Sequence, residues 1–134
     1  MSFINSPRFL RRALLADAVV SGATGLLMLA GAAPLAGLVG LPEALLRGAG
    51  ASLLPFAALV AWLGTRARPG RTAVLAVVAV NALWVIDSVL LLALGWFDPT
   101  ALGVTFVAAQ ALIVAAFAEA QVIGLRRAQA QLSA

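Results

Sequence analysis

The chain has 134 residues, of which 63% are hydrophobic and only 10% are charged, and its formal net charge is +4. A soluble domain of this size could not cover so much apolar surface, because small proteins leave a large share of their chain in contact with water. Cysteine and histidine are both missing, which excludes disulfides, Fe–S clusters, thiolate metal sites and His-ligated haem. Without the usual general base or thiol nucleophile, we expect no enzyme, no metal and no cofactor, while a bound lipid or quinone stays open.

Apolar stretches long enough to cross a bilayer as helices follow one another along the chain. They predict an all-α fold, a four-transmembrane-helix bundle in one integral membrane domain over residues 1–134. Pro34 is expected to end the first helix, and Pro55 to kink the second. The stretch between Pro34 and the second helix is too short to span. The predicted helices cover about residues 7–33, 42–65, 72–95 and 99–125.

Eight of the nine basic residues fall into clusters that flank the apolar stretches. Two apolar stretches separate each cluster from the next, which places every cluster on one side of the membrane. Basic residues are retained on the cytoplasmic side, so both termini and the middle loop are predicted to be cytoplasmic in a bacterial inner membrane. There they would meet anionic lipid headgroups, so the positive charge does not indicate nucleic-acid binding. The clusters are Arg8, Arg11 and Arg12; Arg66, Arg68 and Arg71; and Arg126 and Arg127.

The two halves of the chain resemble each other weakly. Aligning Asp17 with Asn81 also brings Gly31 onto Gly95. Each half would then be one helical hairpin, and the two hairpins would be parallel repeats. Chance coincidence of leucine and alanine explains the match equally well.

Three carboxylates, Asp17, Asp87 and Glu119, fall inside predicted spans. Intramembrane charges are expensive, so each is expected to face the bundle interior and to find a partner there, such as an arginine or a shared proton. Arg47, the ninth arginine, lies at nearly the depth of Asp87, and the sequence predicts an ion pair between them. The candidate intramembrane polar site comprises Asp17, Arg47, Asn81, Trp84, Asp87 and Glu119.

Small and polar residues at helical spacing mark the faces expected to pack inward. The patterns Ser21-x-x-x-Gly25 and Gly48-x-x-x-Ser52 are typical of close helix contacts in membranes. On the fourth helix, Gln110 and Gln121 lie on a different side from the face predicted to point inward. That face carries Thr105, Ala109, Leu112, Ala116 and Glu119.

These features leave two functions open. The first is a non-catalytic structural or accessory subunit that packs within a homo-oligomer or a larger membrane complex, with the lipid bilayer as its other partner. The alternative is a small proton- or cation-coupled transporter or channel that uses the intramembrane carboxylates.

Overall fold

The computed structural model describes the backbone of residues 7–133 and the side chains of residues 8–129. This part of the chain is all-helical and contains no strand. Four of its helices, α1, α3, α4 and α5, are long and apolar enough to cross a membrane, which confirms the prediction of an all-α chain with four candidate membrane spans. The helices are α1 (Pro7–Ala30), α2 (Ala32–Val39), α3 (Glu43–Thr65), α4 (Arg71–Ala93) and α5 (Ala101–Ser133).

The four long helices form an up-and-down bundle that is closed on three sides. Helix α1 packs most extensively on α3 and also on α5, while α5 packs on α4. Helices α3 and α4 approach each other very little, so the fourth side is nearly open. Residues from the first turns of α1, from the C-terminal part of α5 and from the helix ends that flank the α3–α4 connection meet in one hydrophobic cluster, which defines the arginine-rich end of the bundle. Its buried members include Leu10, Leu14, Val60, Leu63, Val74 and Leu125.

Glycine sets the distance between α1 and α3. A Cβ atom on Gly25 would lie 3.0 Å from the carbonyl oxygen of Gly50, and one on Gly50 would lie 2.7 Å from that of Gly25. The prediction that Gly25 is a contact residue is therefore supported. The prediction for Gly48-x-x-x-Ser52 is wrong, because both residues are exposed and a Cβ on Gly48 would meet nothing within 4 Å. The close approach falls on Gly50, two residues further along the same helix.

The first helix ends earlier than predicted. Helix α1 stops at Ala30, Gly31 forms a turn, and α2 starts at Ala32 with Pro34 in its first turn. Proline removes the hydrogen bond to the carbonyl four residues before it and its ring clashes there, so Pro34 disrupts the helix at Ala30 rather than at its own position. The apolar stretch after Pro34, which is too short to span, is helical as far as Val39. Helix α3, in contrast, continues through Pro55.

Two hydrogen bonds join the C-terminus of α2 to the N-terminus of α5. The Thr100 hydroxyl donates to the carbonyl of Leu38 at 2.7 Å, and the Thr100 amide donates to that of Val39 at 3.1 Å. The same hydroxyl accepts the Gly103 amide, so Thr100 caps α5, which begins two residues later than predicted. Gly40 ends α2 in the left-handed conformation, with φ of 71°.

Helix α5 also continues past its predicted end at residue 125, to Ser133. Its 33 residues extend about 50 Å, well beyond the ~30 Å hydrocarbon core of a bilayer. The added turns have a packing partner, because Ala128 is buried beside Leu10 and the Arg68–Pro69 turn. At the same end, the Arg11 guanidinium donates to the carbonyl of Gly64 in the last turn of α3, at 3.3 Å.

Candidate functional site

A buried hydrogen-bond network centred on Asp17 joins three helices. Asn81 of α4 and Gln121 of α5 donate to Oδ2 of Asp17 at 2.9 and 2.7 Å. Ser21, one turn along α1, donates to Oδ1 at 2.8 Å. Asn81 also donates to the side-chain oxygen of Gln121 at 3.2 Å, which closes a triangle between the helices. We call these four residues the Asp17 network.

The Asp17 network is fully enclosed. Asp17 and Gln121 are 0% exposed, and Asn81 is 3% exposed. Among the described residues, no buried side-chain nitrogen or oxygen lacks a hydrogen-bond partner. Helices α1 and α4 lie diagonally across the bundle, so the bond from Asn81 to Asp17 links two helices whose backbones do not pack. The network therefore ties the bundle together through polar side chains.

A second polar group, the Trp84–Gln110 pair, lies nearer the other end of the bundle. The Trp84 indole N–H donates to the side-chain oxygen of Gln110 at 2.6 Å. The Gln110 amide donates in turn to the Ser88 hydroxyl at 3.0 Å and to the Val107 carbonyl at 2.9 Å. Ser88 donates to the Trp84 carbonyl at 2.8 Å. Every polar atom of this group thus has a partner within α4 or α5.

Two cavities lie on either side of the Trp84–Gln110 pair, and both residues line both cavities. The cavity nearer the Asp17 network, which we call the inner cavity, has a volume of about 140 Å³. Ser21 and Asn81 of the network form part of its wall. The outer cavity, about 220 Å³, lies between α3 and α4 on the side where those helices separate. Apolar side chains dominate both walls. The outer cavity is lined by Met28, Leu41, Leu45, Leu46, Ala49, Trp84, Asp87, Ser88, Leu91, Phe106, Val107 and Gln110.

The six predicted site residues are not brought together. Asp17 and Asn81 share the Asp17 network, while Trp84 contacts the inner cavity beside it. The predicted Arg47–Asp87 pair does not form, because Arg47 pairs with Glu43 one turn away on α3. Asp87 is exposed and lines the outer cavity, and no described side chain pairs with it. Glu119 is exposed on α5.

The prediction for the inward face of α5 is wrong. All five residues of the face that ends at Glu119 are exposed, and Leu112 among them is 73% exposed. The opposite stripe, which carries Gln110 and Gln121, packs inside. That stripe also holds Gly103 and Gly124, both buried, and a Cβ on Gly124 would lie 3.0 Å from Cα of Leu10. Two glycines in register with two glutamines were the signal in the sequence that could have identified this face.

No protein-family model, curated protein or solved structure matches this chain.

Proposed function

We propose that the chain is a non-catalytic accessory subunit of the bacterial cytoplasmic membrane that assembles with protein through the outer face of α5. This face comprises Thr105, Ala109, Leu112, Ala116 and Glu119, all of them exposed. The observation that carries the proposal is the position of Glu119. It lies seven residues before Arg126, which is about 10 Å into the span, and no described residue pairs with it.

The chemistry of the outer face of α5 favours protein over lipid as its neighbour. An acidic side chain at the centre of a membrane helix costs about 3 kcal/mol on insertion scales, less towards the ends, and lipid tails offer no partner. Alanine and threonine on the same stripe permit close approach of a second helix, whose polar groups could reach Glu119. Assembly through this face would relieve the cost of the carboxylate. The partner is a second copy of the chain or a subunit of a larger complex.

The mass of the assembly in native membrane tests this proposal. Membranes are extracted into polymer-bounded discs without detergent, and the mass of the protein assembly released from the discs, free of lipid and polymer, is measured by native mass spectrometry. We expect protein assemblies heavier than the 13.6 kDa chain, as multiples of it for a homo-oligomer or with an added mass for another subunit. Leu112→Trp should dissociate them, while Leu83→Trp on the outer side of α4 should not. A lone chain in wild-type membrane refutes the proposal.

The proposed orientation has both termini and the α3–α4 connection in the cytoplasm. The arginine clusters at one end of the bundle support it through the positive-inside rule. The chain has no cysteine, so single cysteines report sidedness cleanly. A membrane-impermeant maleimide on intact cells should label Asp98→Cys and leave Ala67→Cys unlabelled until the cells are broken. The reverse pattern would overturn the orientation.

We also propose that the two helical hairpins arose by duplication. One hairpin is α1 with α3, and the other is α4 with α5. Parallel repeats would be related by an axis along the bundle, and such an axis requires α1 and α4 to lie diagonally opposite each other. The observed diagonal placement of α1 and α4 supports the duplication. The residues that align between the repeats, Asp17 and Asn81, hydrogen-bond to each other near that axis. The α3–α4 gap has no counterpart between α1 and α5, so the two halves depart from that symmetry there.

The second candidate function is a small proton- or cation-coupled transporter. One observation favours it: the Asp17 network borders the inner cavity, and the outer cavity begins on the far side of the Trp84–Gln110 pair. A carboxylate at the end of a row of cavities is placed to bind an ion that enters through them. Liposome flux through Asp17→Asn, Asp87→Asn and Glu119→Gln variants tests it. Wild-type flux in all three, or no flux in the wild-type protein, rules out this function.

A further inference from the structure

We infer that the outer cavity between α3 and α4 binds a single-chain organic amine from the bilayer, with its ammonium group on Asp87 and its hydrocarbon chain in the cavity. This site goes beyond the subunit role, because it lies apart from the outer face of α5 and does not involve Glu119. The size of the cavity, the hydrogen bonds of its walls and the charge of Asp87 all favour such a ligand.

The outer cavity has the size and character of a site for a hydrocarbon group. Its volume of about 220 Å³ exceeds the ~150 Å³ of a dry engineered cavity that binds benzene. Its walls come from four helices and the segment around Leu41, and most of the lining is aliphatic or aromatic. Because α3 and α4 scarcely pack against each other, a molecule dissolved in the bilayer could enter from the side.

The polar groups of the walls determine what head group the ligand carries. The donors of Trp84, Gln110 and Ser88 are already taken up within this group and by the carbonyls of Trp84 and Val107, so these residues offer no free donor. A quinone or ketone, which only accepts hydrogen bonds, would therefore find no partner in the cavity. Asp87 is the exception, since it is exposed, lines the cavity and has no partner among the described side chains.

The charge of Asp87 selects a cation. The carboxylate lies six residues before the end of α4, or about 9 Å inside the span, where an unpaired charge is unfavourable. An alkylammonium ion supplies both a compensating charge and N–H donors, and charge-assisted hydrogen bonds are the stronger kind. The indole of Trp84 adds an aromatic wall next to the carboxylate, which also suits a cation. A carboxylate ligand would be repelled.

A matched series of eight-carbon ligands tests the inference. The full chain is placed in nanodiscs of phosphatidylcholine and phosphatidylglycerol, which carry no primary amine, with Trp62→Phe and Trp96→Phe so that Trp84 alone reports by fluorescence. We expect a saturable change with n-octylammonium. Binding of n-octanol should be at least about tenfold weaker, and octanoate should show no saturable binding.

Two variants separate the charge from the cavity, and a third is the matched control. Asp87→Asn should weaken n-octylammonium binding at least about tenfold while leaving the helix content by circular dichroism unchanged. Ala49→Phe should fill the cavity and abolish binding without touching the carboxylate. Glu119→Gln, at the other exposed intramembrane carboxylate, should bind as the parent does. Equal affinity of the parent and Asp87→Asn, or of octylammonium and octanol, refutes the site, as does loss of binding in Glu119→Gln. Displacement by phosphatidylethanolamine refutes the single-chain ligand and assigns the site to a lipid headgroup.

Discussion

Replacing Asp17 with leucine should destabilise the bundle more than any other change to an intramembrane carboxylate. Leucine removes three hydrogen bonds and leaves the donors of Asn81 and Gln121 without their main acceptor in a buried site. Polar contacts between membrane helices average about 0.6 kcal/mol and reach about 1.7 kcal/mol. Three of them predict a loss of about 2 kcal/mol in the free energy of unfolding, with an upper bound of about 5 kcal/mol.

An asparagine at position 17 should be tolerated, in contrast to a leucine. Its carbonyl oxygen can take the place of Oδ2 and accept from Asn81 and Gln121, and its NH₂ group can donate to the Ser21 hydroxyl. Because the volume and the hydrogen-bond count are kept, Asp17→Asn should cost less than about 1 kcal/mol. The free energy of unfolding in bicelles, measured by titration with sodium dodecyl sulfate, distinguishes the two substitutions.

The control is Glu119→Leu, which removes an exposed carboxylate with no described partner. It should leave the isolated chain unchanged or more stable. A double-mutant cycle of Asp17→Leu with Gln121→Leu should be non-additive, because the Gln121 amide donates directly to Asp17. If Asp17→Leu and Glu119→Leu change the free energy of unfolding equally, or if the cycle is additive, the Asp17 network does not stabilise the bundle.

Three further comparisons test the close contacts of the backbone and the Trp84–Gln110 pair. Gly50→Ala should destabilise by about 1–3 kcal/mol because its Cβ would lie 2.7 Å from the Gly25 carbonyl oxygen, while Gly48→Ala should be neutral or stabilising by the same unfolding titration. Gly40→Ala should lower the melting temperature in detergent more than Gly95→Ala does. Both glycines have a positive φ, but only a Cβ on Gly40 would meet backbone atoms of another segment. Gln110→Leu should shift the fluorescence emission of Trp84 and lower the free energy of unfolding by about 1–2 kcal/mol, because the indole N–H loses its acceptor. An unchanged emission spectrum would count against the Trp84–Gln110 pair.

The spans were predictable because hydropathy and length are local properties of the sequence. Helix ends were less so, since they depend on contacts made across the fold. Helix α5 starts where Thr100 meets the end of α2, and it continues past Arg127, where Ala128 is buried beside Leu10 and the Arg68–Pro69 turn. Neither contact leaves a pattern within its own segment. The break at Gly31 was predictable in principle from Pro34, had its effect been placed four residues upstream.

The site was half predictable for a different reason. Lipid is as apolar as the bundle interior, so hydrophobic periodicity does not say which face of a membrane helix points inward. Helix α5 has two faces of small and polar residues. The face with Glu119 was predicted to point inward, but the face with Gln121 does so. Arg47 was assigned by depth to a carboxylate on another helix. Glu43, one turn away on the same helix, pairs with it instead because that contact requires no second helix.

Site-specific photo-cross-linking on the outer face of α5 tests the proposed assembly most directly. A photoreactive side chain replaces Leu112 in native membranes, and a matched probe replaces Leu83 on the outer side of α4; the two residues are 73% and 57% exposed. We expect the probe at Leu112 to yield a discrete protein adduct, one chain mass heavier if the partner is a second copy, and the probe at Leu83 to yield lipid adducts. Lipid adducts alone at Leu112 would contradict assembly through the outer face of α5.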